Sequence, residues 1–144
     1  YSDIDDIVKI DKSIFFDYLS LVKNLDSVIV LDFDGVVTKQ SFEHLYKLCI
    51  ERGNKVYICS ANPTITEDWF IKRNYFLPYR IFACKGKLAK IKRLIEINKI
   101  HDIVLYVDNE QIYLEFAWIF GIHTYIYRDN KIRGFTMIKE KKKN

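Results

Sequence analysis

The sequence is poor in cysteine and in long apolar stretches, and each shortage disfavours one class of protein, the disulfide scaffold and the membrane-spanning protein. Its 144 residues include three cysteines, Cys49, Cys59 and Cys84. An odd number without framework spacing predicts buried thiols in a reducing, intracellular and cytoplasmic setting rather than a disulfide scaffold. No apolar run approaches the ~20 residues that a membrane span needs, so we expect no membrane partner. With 49% hydrophobic and 29% charged residues, the chain is expected to form one globular domain over residues 1–144.

Several ligand-binding motifs are also missing. There is no G-x-x-x-x-G-K-[ST] loop for nucleotide phosphates. No cysteine precedes an arginine at the spacing of cysteine phosphatases, and His44, His101 and His123 pair with no cysteine at zinc spacing. The Asp-x-Asp-Gly sequence at 32–35 is not an EF-hand loop, because its glycine comes too early. These absences disfavour nucleotide-loop, thiol-phosphatase, zinc and calcium-loop chemistry.

The net charge of +4 hides an asymmetry along the chain. Residues 1–34 have a balance of −5, whereas residues 35–144 have a balance of +9. A basic surface predicts anionic partners such as nucleic acid, and the alternative is ordinary solvated lysine on helix faces. The residues assigned to this basic rim are Lys72, Arg73, Lys90, Lys92, Lys141, Lys142 and Lys143.

Apolar runs alternate with helical patterns, which predicts an α/β fold with a parallel sheet covered by helices on both faces. We expect strands over 28–34, 55–60, 80–84, 103–108 and 122–127. We expect helices over 12–24, 41–52, 87–98 and 110–120, and a helix opened by the capping box at 64–67. Leu88, Ile91 and Ile95 are expected to face inward. Residues 1–26 would form an N-terminal helical extension and 139–144 a basic tail. The segment 129–144 either pairs as an edge hairpin or trails off.

Three of the predicted strands end in polar side chains. Asp32 and Asp34 follow the apolar run at 28–31, Ser60 ends the next strand, and Asp108 ends the run at 103–107. In extended geometry Asp32 and Asp34 leave the same face of the chain, and Gly35 permits a turn directly after them. Ligands of parallel sheets bind at the carboxyl ends of strands, so these residues predict one functional site.

Over residues 28–128 this pattern resembles the haloacid dehalogenase superfamily of aspartate-dependent phosphatases. Residues 32–38, Ser60, a lysine opening the helix at 87–98, and Asp108 resemble its four motifs in order. The resemblance implies a Rossmann-like, three-layer, doubly wound core and a Mg²⁺-dependent phosphomonoesterase that forms an aspartyl-phosphate. For the lysine, Lys87 is preferred over Lys85, because apolar residues follow Lys87 at the family's usual spacing.

The resemblance also implies a role for each residue. Asp32 would attack phosphorus, and Asp34 would act as the general acid and base. Asp32, Asp108 and the backbone carbonyl of Asp34 would bind Mg²⁺, while Ser60 and the lysine would hold phosphoryl oxygens. Many family members have a second acid near the last motif. Here Asn109 occupies one of those positions and would orient a metal-bound water, with Glu110 as a possible substitute.

The spacing between motifs leaves no room for a cap domain, since about 20 residues separate Thr38 from Ser60 and about 25 separate Ser60 from Lys85. An open site and a basic rim favour phosphorylated nucleic-acid ends as substrate. Two alternatives stay open. One is a small-metabolite (sugar) phosphatase closed by oligomerisation, and the other is a catalytically degenerate module that binds phosphate or nucleic acid.

Overall fold

The computed structural model describes residues 27–137 and the backbone of a short strand at 7–9. Six strands between residues 28 and 135 form one sheet, and the short strand joins its edge. The strands are β1 (Ile7–Lys9), β2 (Val28–Leu31), β3 (Lys55–Ser60), β4 (Arg80–Ala83), β5 (Ile103–Asp108), β6 (Thr124–Arg128) and β7 (Lys131–Phe135). The helices are α1 (Glu43–Glu51), α2 (Glu67–Lys72), α3 (Lys87–Ile100) and α4 (Gln111–Ile119).

Two of the expected segments fall partly or wholly outside this description. The helix predicted over 12–24 and the basic tail with Lys141, Lys142 and Lys143 lie outside the described residues. Residues 7–9, expected within a helical extension, instead form a strand that pairs antiparallel with β7.

The sheet is mostly parallel, which confirms the predicted α/β character. Its order is β1-β7-β6-β5-β2-β3-β4. β2 pairs in parallel with both β3 and β5, and the β3–β4 and β5–β6 pairs are parallel too. The chain moves outward from β2 to β4 and then returns to β5 on the other side of β2. Such a switch in strand order opens a crevice at the carboxyl ends of the strands beside it.

The boundaries of β3 and β5 agree with those predicted from the sequence, whereas the start of α2 and the orientation of Leu88 differ from the prediction. The helix after β3 is not opened by a capping box at Thr64, since α2 begins at Glu67 and the Thr64 hydroxyl donates to Asn62 Oδ1 instead. Leu88 is 77% exposed rather than inward, because it lies on the outer side of the first turn of α3. For the described part of the C-terminal segment, up to residue 137, the hairpin alternative is confirmed, with Asp129 and Asn130 at φ 52° and 59° in a tight turn between β6 and β7.

Successive side chains of a strand point to opposite faces of the sheet, and the core is accordingly divided into two clusters. Ile29 and Leu31 of β2 pack in one cluster with residues of α1 and α2. Val28 and Val30 belong to a second cluster with residues of α3 and α4. Burial of β2 on both faces explains its uninterrupted apolar sequence.

The connections around β3 are short. A tight turn at Phe33–Val37, a short 3-10 helix at Gln40–Phe42 and the α-helix α1 lie between β2 and β3, and one six-residue α-helix lies between β3 and β4. Neither stretch, fully described from residue 32 to 79, contains a further domain. Among the described helices, none combines the length and apolar composition that crossing a bilayer requires.

Candidate active site

Three adjacent strands deliver polar residues to one edge of the sheet. β2 lies between β3 and β5, with Leu31 opposite Ile58 on one side and Val107 on the other. Asp32 therefore emerges between the ends of its two neighbours, and its backbone nitrogen donates to Val107 O at 2.9 Å. The structure thus brings together the predicted residues Asp32, Ser60 and Asp108.

The turn after β2 depends on Gly35. Its φ of 83° lies in the left-handed region that other residues resist, and its nitrogen donates to Thr38 Oγ1 at 2.9 Å. A Cβ at this position would overlap the side-chain amide of Asn109. The glycine lets the loop of β2 approach the end of β5 closely.

Lys90 is the cation at the centre of the group. Its Nζ donates to Asp32 Oδ1 at 2.8 Å and to Asp108 Oδ2 at 2.7 Å. The residue is 1% exposed, and Nζ also lies 3.9 Å from the ring centroid of Tyr113. A buried ammonium between two buried carboxylates neutralises charge that neither carboxylate could keep there alone.

The lysine that the structure brings to the cluster is Lys90, whereas the sequence predicted Lys87 or Lys85 as the site lysine. Lys87 and Lys85 are both exposed, and among the described residues that line the site cleft the lysine is Lys90. The assignment of Lys90 to a solvent-facing basic rim is wrong, because α3 turns this side chain toward the sheet beside Ile91. Lys72, Arg73 and Lys92 are exposed as expected.

The electrostatics of the cluster are dominated by burial. Burial raises the pKa of Asp32 well above its usual value, the charge of Asp108 raises it further, and Lys90 opposes both. Burial alone would lower the pKa of Lys90, but Asp108 and Asp32 outweigh it, and the pKa of Lys90 is raised. Lys90 therefore stays charged at all ordinary pH values.

Asp108 is held by several donors besides Lys90. Its Oδ1 accepts from the backbone nitrogens of Asn109 at 2.6 Å and Glu110 at 3.0 Å, just before α4 begins. Its Oδ2 accepts from the buried hydroxyl of Tyr106. Tyr106 was not singled out from the sequence, because a tyrosine in an apolar strand is normally a packing residue.

Asn109 lies against both carboxylates. The near end of its amide is 3.1 Å from Asp32 Oδ2 and 3.2 Å from Asp108 Oδ1, and a nitrogen there donates to both. Its backbone oxygen accepts from Arg128 Nε at 2.9 Å. This position of the amide is set by β5, α4 and β6 together.

Asp34 and Asn62 form the outer wall of the site. Asp34 is exposed, and its Oδ2 accepts from Asn62 Nδ2 at 3.0 Å. The backbone nitrogen of Asn62 donates to Ser60 Oγ at 3.1 Å, and its Oδ1 accepts from Thr64. Asn62 links two predicted site residues, and its place two residues after Ser60 in the loop is the only signal that the sequence offers.

These side chains surround a cleft of about 230 Å³. Its walls are formed by residues from β3, α3 and α4 and from the loops that follow β2, β3 and β5. They are Asp32, Asp34, Ser60, Ala61, Asn62, Lys90, Asn109, Glu110 and Tyr113.

The oxygen atoms beside the cleft are suitable for a hard cation. In the described part of the chain no three His, Cys, Asp or Glu side chains group as a metal site, so a cation there would need further ligands, such as the Asn109 amide, a backbone carbonyl or water. A cation would replace the two hydrogen bonds that the Asn109 amide nitrogen donates to Asp32 Oδ2 and Asp108 Oδ1. With the amide turned over, its oxygen would lie 3.1 and 3.2 Å from those two carboxylate oxygens. Adjacent ligands of an octahedral Mg²⁺ at 2.0–2.1 Å are about 3 Å apart, so these residues are compatible with Mg²⁺.

Comparison of the chain with protein-family models and with curated proteins finds no match.

Proposed function

We propose that this protein is a Mg²⁺-dependent phosphomonoesterase that works through an aspartyl-phosphate on Asp32. The proposal rests on one observation: Lys90 pairs with the buried carboxylates of Asp32 and Asp108, and Asp32 and Lys90 line a cleft together with a third aspartate, Asp34, and with Ser60. We further propose that the chain adopts the three-layer, doubly wound architecture of the haloacid dehalogenase superfamily. The division of the core into two clusters supports that architecture.

Asp32 is suited to nucleophilic attack because it is buried, oriented and close to a cation. Attack by a carboxylate oxygen forms a bond to phosphorus and breaks the ester bond to the leaving oxygen. A water then attacks phosphorus, and the bond to Asp32 breaks to release inorganic phosphate. Lys90 neutralises the two carboxylates, so that an anionic phosphoryl group can approach them.

Asp34 is suited to the proton transfers. It would give its proton to the leaving oxygen in the first step and accept one from the attacking water in the second. The hydrogen bond from Asn62 holds its carboxyl toward the cleft. Asn62 is thus a positioning residue for Asp34.

The phosphoryl oxygens would be held from the β3 side, where the Ser60 hydroxyl lines the cleft. Asp32, Asp108 and Asn109 would hold Mg²⁺, which when bound supplies Lewis-acid stabilisation of the negative charge on the phosphoryl group. The backbone carbonyl of Asp34 stays a predicted further ligand.

The test is release of phosphate from an aryl phosphate, phosphorylated oligonucleotides, a phosphopeptide and sugar phosphates, with Mg²⁺ or with chelator. Asp32→Asn should abolish release, because the amide is a poor nucleophile, whereas Asp68→Asn on the exposed face of α2 should retain it. Phosphate binding without release by the folded wild-type protein would refute the enzyme proposal and favour the binding module. Fast release from sugar phosphates by a stable oligomer would favour the metabolite phosphatase.

A further inference from the structure

A second cavity lies along the outer side of β4, which is the last strand on that side of the described sheet. We call it the edge groove. It has a volume of about 560 Å³ and is lined by residues 80–85 and by the facing side of α3, where the lining residues are Ala89, Lys92, Arg93 and Glu96. At 3.3 Å per residue, residues 80–85 span about 16 Å of extended chain.

The edge groove is strongly basic. Its charged lining consists of four exposed cations, Arg80, Lys85, Lys92 and Arg93, and one acid, Glu96. Glu96 pairs with Arg93 at 3.1 Å on the exposed helix surface, where such a pair is worth little. With Glu96 counted, the described lining of the groove has a net charge of +3.

The arginines are held in place by the ring of Phe82. The guanidinium groups of Arg80 and Arg93 lie 4.6 and 4.8 Å from its centroid. Stacking fixes the long side chains, which lowers the entropy cost of binding phosphate with their planar forks. Phe82 itself is only 9% exposed, so the groove offers little of its ring to the side chains of an added peptide strand.

The edge groove leads toward the active-site cleft. At its upper end, Cys84 N donates to Ser60 O at 2.8 Å, and Gly86 N donates to Ala61 O at 3.2 Å. Ser60 and Ala61 line the cleft, while Cys84 lines the groove. These two backbone hydrogen bonds join the segment that lines the groove to the segment that lines the cleft, so the two cavities are adjacent.

We propose that the edge groove binds the sugar–phosphate backbone of a single-stranded nucleic acid and leads its phosphorylated end to the cleft. Regularly spaced phosphodiesters complement the row of cations, and the terminal phosphate is chemically continuous with them. Binding in the groove stands independently of catalysis, whereas delivery of the end rests on the proposed function.

Binding is measured by fluorescence anisotropy with an oligonucleotide that has hydroxyl ends, which the enzyme cannot hydrolyse. Four phosphate contacts predict a slope of log affinity against log salt of about −2.8, or a loss of about 50-fold between 50 and 200 mM salt. Lys85→Gln/Lys92→Gln should halve the slope to about −1.4. The matched control Lys99→Gln/Lys131→Gln removes the same charge from exposed positions outside the groove and should leave the slope unchanged.

Cys84 provides a direct footprint, because it lines the groove and is partly exposed while Cys49 and Cys59 are buried. Saturating oligonucleotide should slow its alkylation at least tenfold in the wild-type protein. The Lys85→Gln/Lys92→Gln protein should also show a raised KM for a phosphorylated oligonucleotide, with unchanged kcat and unchanged activity on an aryl phosphate.

Equal salt slopes in the two lysine variants, or unprotected Cys84, would overturn the proposal. If an acidic peptide binds as tightly as the oligonucleotide and protects Cys84, the partner of the groove is a peptide and not a nucleic acid. Protection of Cys84 without phosphate release from any substrate would support the groove and refute the enzyme. Asp32-dependent release of phosphate from an aryl phosphate, without protection of Cys84 by the oligonucleotide, would support the enzyme and refute the groove.

Discussion

Replacing Lys90 by methionine tests the charge balance on which the site depends. The two contacts at 2.8 and 2.7 Å each represent ~6 kcal/mol of gross attraction at an effective dielectric constant of ~20. Desolvation of three buried groups offsets most of this attraction. Removing the shared cation leaves Asp32 and Asp108 unpaired, so we expect Lys90→Met to lower the free energy of unfolding by about 3–5 kcal/mol near pH 8.

The loss should depend on pH in a defined direction. Without Lys90, the already raised pKa of Asp32 rises further, and the folded variant binds a proton that the unfolded chain releases. Its free energy of unfolding therefore falls as pH increases from 3.8, the ordinary pKa of an aspartate, through the raised pKa. The gap between the wild-type protein and the variant should be wider at pH 8 than at pH 5.

Urea unfolding followed by circular dichroism at both pH values measures the gap. Lys87→Met, one turn earlier on α3 and exposed, is the matched control and should change stability by less than about 0.5 kcal/mol. Lys90→Met should also abolish phosphate release, and Lys87→Met should not. A loss below about 1 kcal/mol, or one that is the same at both pH values, would refute the reasoning about the buried charges.

Three further predictions concern the same region. Gly121→Ala should lower the free energy of unfolding in urea by about 1–2 kcal/mol, because of the positive φ alone. Gly35→Ala should lower it by more, because a Cβ there also meets Asn109, and equal losses would contradict this. Tyr106→Phe should cost about 1.5–3 kcal/mol in the same assay, since it removes a buried donor to a carboxylate, and a neutral result would show that the hydroxyl is dispensable. The hydrogen bond from Cys59 lowers the pKa of Cys84 to about 7, so its alkylation rate, followed by mass spectrometry, should rise with a midpoint near pH 7, whereas a midpoint above pH 8.5 would contradict it.

The five parallel strands, β2 to β6, and the carboxylates at the ends of β2 and β5 could be predicted from the sequence. A strand buried on both faces needs a continuous apolar run, and a polar residue must lie where the burial ends. That relation is local, so residues 55–60 and 103–108 identify β3 and β5 without knowledge of their neighbours. It also identifies Asp32, Ser60 and Asp108, because parallel strands bring their ends to one edge.

The identity of the site lysine could not be predicted in this way. Lys87 is followed by Ile91 and Leu94, and Lys90 is followed by Leu94 and Ile97, at the same spacings of four and seven residues. A long apolar stripe therefore suits both lysines, and periodicity alone cannot distinguish them. The choice depends on where α3 begins and how it is rotated against β5.

The sequence by itself determined which residues are buried as strands and which acids end them, because these depend on neighbours along the chain. Only the tertiary structure decided that Lys90 and Asn62 contact those acids, since Lys90 comes from α3 and Asn62 from the loop after β3. It also decided that four cations from β4, the turn after it, and α3 face one groove. Such contacts depend on the packing of separate elements, and no local pattern encodes their distances.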